Sequence, residues 1–141
     1  QKGTPLQQKI DELAKMLEME SFLERRVGGF SQGQRTKVAI ARALVHSPQN
    51  ILLDEPTNGL DVMSTRSMRI IIRRLRDEGK CVVFSSHIMQ EVSALCDNIV
   101  VIANGLIAAS GTPEELRAAT GQANLEDAFV AAIGTEEGLE A

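Results

Sequence analysis

The chain has 141 residues, of which 43% are hydrophobic, 24% charged and 3% aromatic, and its formal net charge is -4. This composition reads as one soluble globular domain with an aliphatic core rather than a disordered chain. The acidic balance argues against a protein that coats nucleic acid. No apolar run approaches the roughly 20 residues that a membrane-spanning helix needs, and no secretory signal opens the chain. The start at Gln1 rather than Met reads as a piece of a longer protein. Cys81 and Cys96 have neither CxxC spacing nor a histidine cluster, so buried free thiols are expected instead of a disulfide or metal site.

In chain order, Leu6, Ile10, Leu13 and Leu17 recur at helical spacing behind Thr4-Pro5, a cap followed by a first helical proline. Ser21 to Arg26 is expected as a second short helix, broken by Gly28-Gly29. Ser31 and Gln34 form an S-x-x-Q capping box that opens a helix ending near Ser47-Pro48. Ile51-Leu52-Leu53 is short and wholly apolar, as a buried parallel strand would be. Met63 to Asp77 reads as a helix with Met68, Ile71, Ile72 and Leu75 inward, and Gly79 suits its C-terminal cap. Cys81 to Phe84 is a second buried strand, and Met89 to Cys96 a short helix.

Asn104-Gly105 between Ile99–Ile102 and Leu106–Ala109 predicts a hairpin, because both turn residues tolerate positive φ. Thr112-Pro113-Glu114-Glu115 starts a further helix, and Leu125 to Ile133 forms the last. The tail from Thr135 is polar and acidic, and is expected to fray. The fold class is therefore α/β, with parallel strands, flanking helices, a C-terminal β-hairpin and an N-terminal helical portion. The expected division is a helical portion over 1–48, an α/β portion over 49–133 and a flexible tail over 134–141.

In a parallel α/β sheet, ligands sit at the carboxyl ends of the strands. Glu55 follows one strand and His87 the next, so parallel strands would carry both to one edge. The Asp54-Glu55 pair suits phosphate chemistry. One carboxylate can hold Mg²⁺, directly or through water, and the other can orient and polarise an attacking water. His87 can donate to a phosphate oxygen. Alone, Asp-Glu-Pro is an ordinary polar strand exit. Gly59-Leu60-Asp61 and His87 together tip the reading toward chemistry. Ser31 and Gly33 at a helix N-terminus form an anion-binding turn, a role compatible with simple capping. The arginines Arg66, Arg69, Arg73, Arg74 and Arg76 read as a solvated face, since no aromatics interleave them for base stacking. Met16, Met19, Met63, Met68 and Met89 read as core or gap-filling residues.

These motifs, in this order, resemble the nucleotide-binding domain of ABC transporters. Phe30-Ser31-Gln32-Gly33-Gln34 resembles the ABC signature, Ile51 to Glu55 the Walker B strand with its catalytic glutamate, Gly59-Leu60-Asp61 the D-loop, and His87 the switch histidine. The likeness covers about Arg26 to Ser110, and Leu125-Glu126-Asp127-Ala128-Phe129 resembles the ending of bacterial exporter ATPases. The phrasing looks most like sodium- and drug-efflux ATP-binding subunits.

The resemblance implies an incomplete P-loop NTPase fold and an ATPase that works as a head-to-tail dimer around ATP and Mg²⁺. Ser31, Gly33 and Gln34 would meet the partner's nucleotide. Asp54 would serve Mg²⁺, Glu55 the water and His87 the γ-phosphate, while Asp61 would sense the partner. Transmembrane permease subunits would hold the dimer at the cytoplasmic face of the membrane, and nucleic acid is not expected as a partner.

Two residues depart from the family pattern: Gln32 stands where glycine is usual and Phe30 where leucine is. No G-x-x-x-x-G-K-[ST] phosphate loop occurs in the 141 residues. The resemblance places that loop, the adenine-stacking aromatic and the glutamine loop before residue 1, so the chain alone is expected to be inactive and to lack strands of its own sheet. The alternative is the C-terminal lobe of a chromosome-maintenance or DNA-repair ATPase head, where a coiled coil separates the two halves. Such a lobe should follow sustained heptads, and here one short amphipathic stretch leads into the signature.

Overall fold

The computed structural model describes residues 4–134, which fall into two compact units dividing after Ser85. The first holds helix α1 (Pro5–Met16), a 3₁₀ turn at Val27–Gly29, helix α2 (Gln32–Leu44), strand β1 (Asn50–Leu53), helix α3 (Val62–Asp77) and strand β2 (Cys81–Phe84). The second holds helix α4 (Met89–Leu95), strands β3 (Ile99–Ala103) and β4 (Leu106–Gly111), and helices α5 (Pro113–Thr120) and α6 (Leu125–Gly134). The tail expected to fray from Thr135 lies outside the described residues.

The helix starts follow their capping chemistry. Thr4 accepts from the Gln7 N–H ahead of Pro5. At α2, the Gln34 N–H donates to Ser31 Oγ at 3.2 Å, and the Ser31 N–H donates to Gln34 Oε1 at 3.0 Å. The capping box is complete, satisfying two of the orphan donors that every helix start leaves. Helix α3 ends in a Schellman motif, with Lys80 N–H donating to Leu75 O and Gly79 N–H to Arg76 O.

Residues 21–26 are not a helix, against expectation. Two tight turns replace it, with Phe22 N–H bonded to Met19 O and Arg25 N–H to Phe22 O. Phe22 is buried edge-to-face against Phe30, with ring centroids 5.2 Å apart. An aromatic anchored by a contact eight positions along the chain overrides the local helical preference.

Strands β1 and β2 pair in parallel, in the register Ile51↔Val82 and Leu53↔Phe84. Helix α3 lies against β2 and buries Met68, Ile71, Ile72 and Leu75. The strands are not buried on both faces, however. Leu52 is 79% exposed and its partner Val83 57% exposed, while Ile51 on the alternate face is 3% exposed. Purely parallel sheets ordinarily have both faces covered, so one face here is bare among the described residues. The same open face exposes Cys81, which corrects the expectation of two buried thiols. Met63 is likewise 68% exposed, whereas Met19 and Met68 are core residues as expected.

In the second unit, Asn104 (φ 52°) and Gly105 (φ 76°) make the tight turn between β3 and β4, which pair antiparallel with a register shift between Val101 and Ile102. Val92, Val101, Leu116 and Leu125 form its core, flanked by Cys96 and Phe129. Burial, with Asp97 nearby, pushes the Cys96 thiol up to about 11.

Two outcomes follow from these environments. Thiolate is the reactive form, so limiting iodoacetamide at about pH 8 should alkylate exposed Cys81 well before Cys96, as read by peptide mass. Ser31→Ala removes one half of the α2 capping box and should cost about 1 kcal/mol in urea unfolding.

Candidate functional site

The parallel register carries β1 and β2 past their last pair to the same sheet end. Leu53 O accepts from the Ser85 N–H, which extends the ladder by one rung and sets Ser85 beside Asp54. The Ser85 hydroxyl then does two things. It donates to Asp54 Oδ1 at 2.6 Å, and it accepts the Glu55 N–H at 2.9 Å. A single hydroxyl, with one donor and two acceptor positions, thereby ties down both members of the acid pair.

Glu55 itself has φ 44°, in the left-handed region that a side-chain-bearing residue seldom occupies. Pro56 follows, and a residue before proline is kept from the right-handed α region. The turn continues with Asn58 N–H bonded to Glu55 O. Such local strain concentrates at functional sites, and here it redirects the chain at the point where the two carboxylates leave the strand.

The donor chemistry of this strand end fits Mg²⁺. Asp54 and Glu55 supply hard oxygens, and among the described residues no group of three or more His, Cys, Asp or Glu side chains forms a metal cage. Mg²⁺ is ordinarily held by one or two carboxylates, with water and substrate phosphates completing its octahedron. A structural zinc site would need four side-chain ligands.

The second cluster is built at the starts of α2 and α3. Asp61 caps α3, accepting from the Ser64 N–H at 2.9 Å and the Ser64 hydroxyl at 2.8 Å. These bonds from Ser64, the backbone one foremost, hold the Asp61 carboxyl below its ordinary range. Gly33 is buried in the first turn of α2 and packs on the same serine. A Cβ at Gly33 would lie 2.7 Å from Ser64 Oγ and 3.1 Å from Ser64 Cβ.

Of the residues singled out in the sequence, Asp54 and Glu55 stand together at the end of β1. Ser31, Gly33 and Gln34 share the start of α2, and Asp61 reaches them through Ser64. His87 is exposed and opens the second unit, between β2 and α4, where the Ile88 N–H donates to Ser86 Oγ. Two residues were missed as participants, Ser85 and Ser64. The signal for Ser85 was available: a hydroxyl residue at the carboxyl end of the strand next to Asp54. The signal for Ser64 was its place three residues after Asp61, the spacing of a helix cap.

The ABC transporter family model matches residues 4–58. The ABC transporter ATP-binding protein NatA of Bacillus subtilis (strain 168) is 51% identical over 108 residues, covering 77% of this chain and 44% of the relative. The sn-glycerol-3-phosphate import ATP-binding protein UgpC 1 of Rhizobium johnstonii is 43% identical over 111 residues, covering 78% of this chain and 30% of the relative. A solved ATP-binding subunit of an ABC transporter superposes with a TM-score of 0.78 at 26% identity, covering 90% of this chain and 54% of that one. The chain thus spans less than half the length of both curated relatives and about half of the solved structure. In sequence and in its α/β fold, this chain belongs to the ATP-binding domains of ABC transporters.

Proposed function

We propose that this chain is the signature and Walker B part of an ABC transporter ATP-binding subunit, and that the whole protein couples ATP hydrolysis to transport. The observation that carries the proposal is the Ser85 bridge, which fixes Asp54 and Glu55 at a parallel strand end.

In this reading Asp54 serves Mg²⁺ directly or through a water, with its Oδ1 held by Ser85. When bound, the ion neutralises charge on the phosphate oxygens. Glu55 orients the attacking water and takes its proton as the new P–O bond forms and the bond to ADP breaks. His87 donates a hydrogen bond to the γ-phosphate. Ser31, Gly33 and Gln34 face the nucleotide of a second subunit. The capping box suits them to this. Ser31 Oγ and Gln34 Oε1 are engaged as acceptors, which leaves the serine hydroxyl proton and the glutamine amide to donate to an anion. Asp61 reads the partner across the dimer.

Functionally the chain divides into a helical part (1–48) that carries the signature and an α/β part (49–133) that carries the acid pair and His87. No helix among the described residues is long and apolar enough to cross a membrane. In this reading, which rests on the family resemblance, permease subunits hold the protein at the cytoplasmic face of the membrane and a second ATPase subunit completes each site. Nucleic acid is not among the partners. The finer reading, export of sodium or drugs, rests on the sequence resemblance. The import name of one relative leaves the permease to choose substrate and direction.

Glu55→Gln in the whole protein should abolish ATP turnover while leaving ATP binding intact. Unchanged turnover would remove Glu55 from the role of base. Ser85→Ala should lower turnover on the order of tenfold, because it releases one carboxylate and one strained backbone amide at once. A steady-state phosphate-release assay on wild type and both variants reads each outcome.

A further inference from the structure

We propose that Ser64 is a positioning residue that locks the signature turn to Asp61, and that Gly33 is glycine because Ser64 occupies the space its Cβ would need. The inference rests on the reading above, in which the signature and Asp61 both act on the partner subunit.

Three observations converge on Ser64. Its backbone N–H and its hydroxyl both donate to the Asp61 carboxylate, at 2.9 Å and 2.8 Å. The hydroxyl hydrogen bond fixes the serine rotamer, because rotation about χ1 would forfeit it. The fixed Oγ and Cβ lie where a Gly33 Cβ would stand, at 2.7 Å and 3.1 Å. Side-chain atoms that approach this closely cannot be accommodated without a shift, and the neighbour is held by its own hydrogen bonds rather than being the loose end of a long chain. Gly33 lies in the first turn of α2, between Ser31 and Gln34, whose reciprocal bonds define the capping box. The starts of α2 and α3 therefore interlock through one serine.

The consequence is mechanical. Asp61 and the signature would both reach across the dimer, and Ser64 makes them one body. A movement of Asp61 on meeting the partner is passed to the α2 amides without slack. Ser64 touches neither nucleotide nor metal in this scheme, and its influence runs through Asp61 and Gly33.

A double-mutant cycle on Gly33→Ala and Ser64→Gly in the whole protein tests this. Gly33→Ala should lower kcat on the order of tenfold. Adding Ser64→Gly removes both obstructing atoms, so the Gly33→Ala loss should be severalfold smaller beside Ser64→Gly than in the wild-type background. A Gly33→Ala loss of the same size in both backgrounds would overturn the proposal, since Ser64 would then contribute nothing to the need for glycine. Ser64→Ala keeps a good helix former and should lower kcat severalfold at an unchanged Tm. A kcat equal to wild type would also overturn it. If wild type itself shows no turnover, the proposed function fails. The interlock is then judged by the Tm values of the same four proteins, where additive effects would overturn it and a smaller Gly33→Ala loss beside Ser64→Gly would support it.

Discussion

The parallel register of β1 on β2 is the constraint on which the acid pair depends. Pairing Leu53 with Phe84 puts Ser85 beside Asp54, and a shift of one residue would replace that serine with Phe84 or Ser86 and turn alternate side chains to the other face. With the register set, the Ser85 hydroxyl can bond the Asp54 carboxylate and the Glu55 amide together. The left-handed turn at Glu55 then has a fixed starting point. The fold supplies that register through α3, whose apolar stripe from Met68 to Leu75 is buried where the helix lies against β2.

The second dependency is steric. Helices α2 and α3 meet at their first turns, and each start is held by its own cap: Ser31 with Gln34, and Asp61 with Ser64. The closeness of Gly33 to Ser64 joins the two caps. Capping, packing and the proposed chemistry thus draw on the same few atoms. Ser31 needs no separate explanation as a structural or a functional residue, because the bond it accepts as a cap is what orients the turn.

Much of this was legible from residue types alone. The caps at Thr4, Ser31 and Thr112, the Schellman end at Gly79 and the Asn104-Gly105 turn depend on interactions only a few residues apart, and each formed as read. The two strands also paired in parallel as expected. What failed depended on distant neighbours. The turns at 21–26 answer to the Phe22–Phe30 contact, and the exposure of Leu52, Val83 and Cys81 answers to what lies against the sheet rather than to the apolar run itself. Ser85 and Ser64 stand at places the sequence displays, but that the Ser85 hydroxyl bonds both Asp54 and Glu55, and that Ser64 abuts Gly33, is set by register and helix packing. For the turn at Ser31–Gln34 and for the Asp54-Glu55 pair, the structure adds the hydrogen bonds that hold each in place.

The proposed function gives this chain the carboxylates and the signature of an ABC ATPase, and no G-x-x-x-x-G-K-[ST] phosphate loop occurs among its 141 residues. Calorimetric titration of the chain with Mg-ATP tests it most directly. No detectable binding is expected, because on the proposed reading Asp54 and Glu55 hold no phosphate by themselves and the signature meets a partner's nucleotide. Tight, stoichiometric binding would contradict it, since a complete phosphate cradle would then have to exist within these 141 residues.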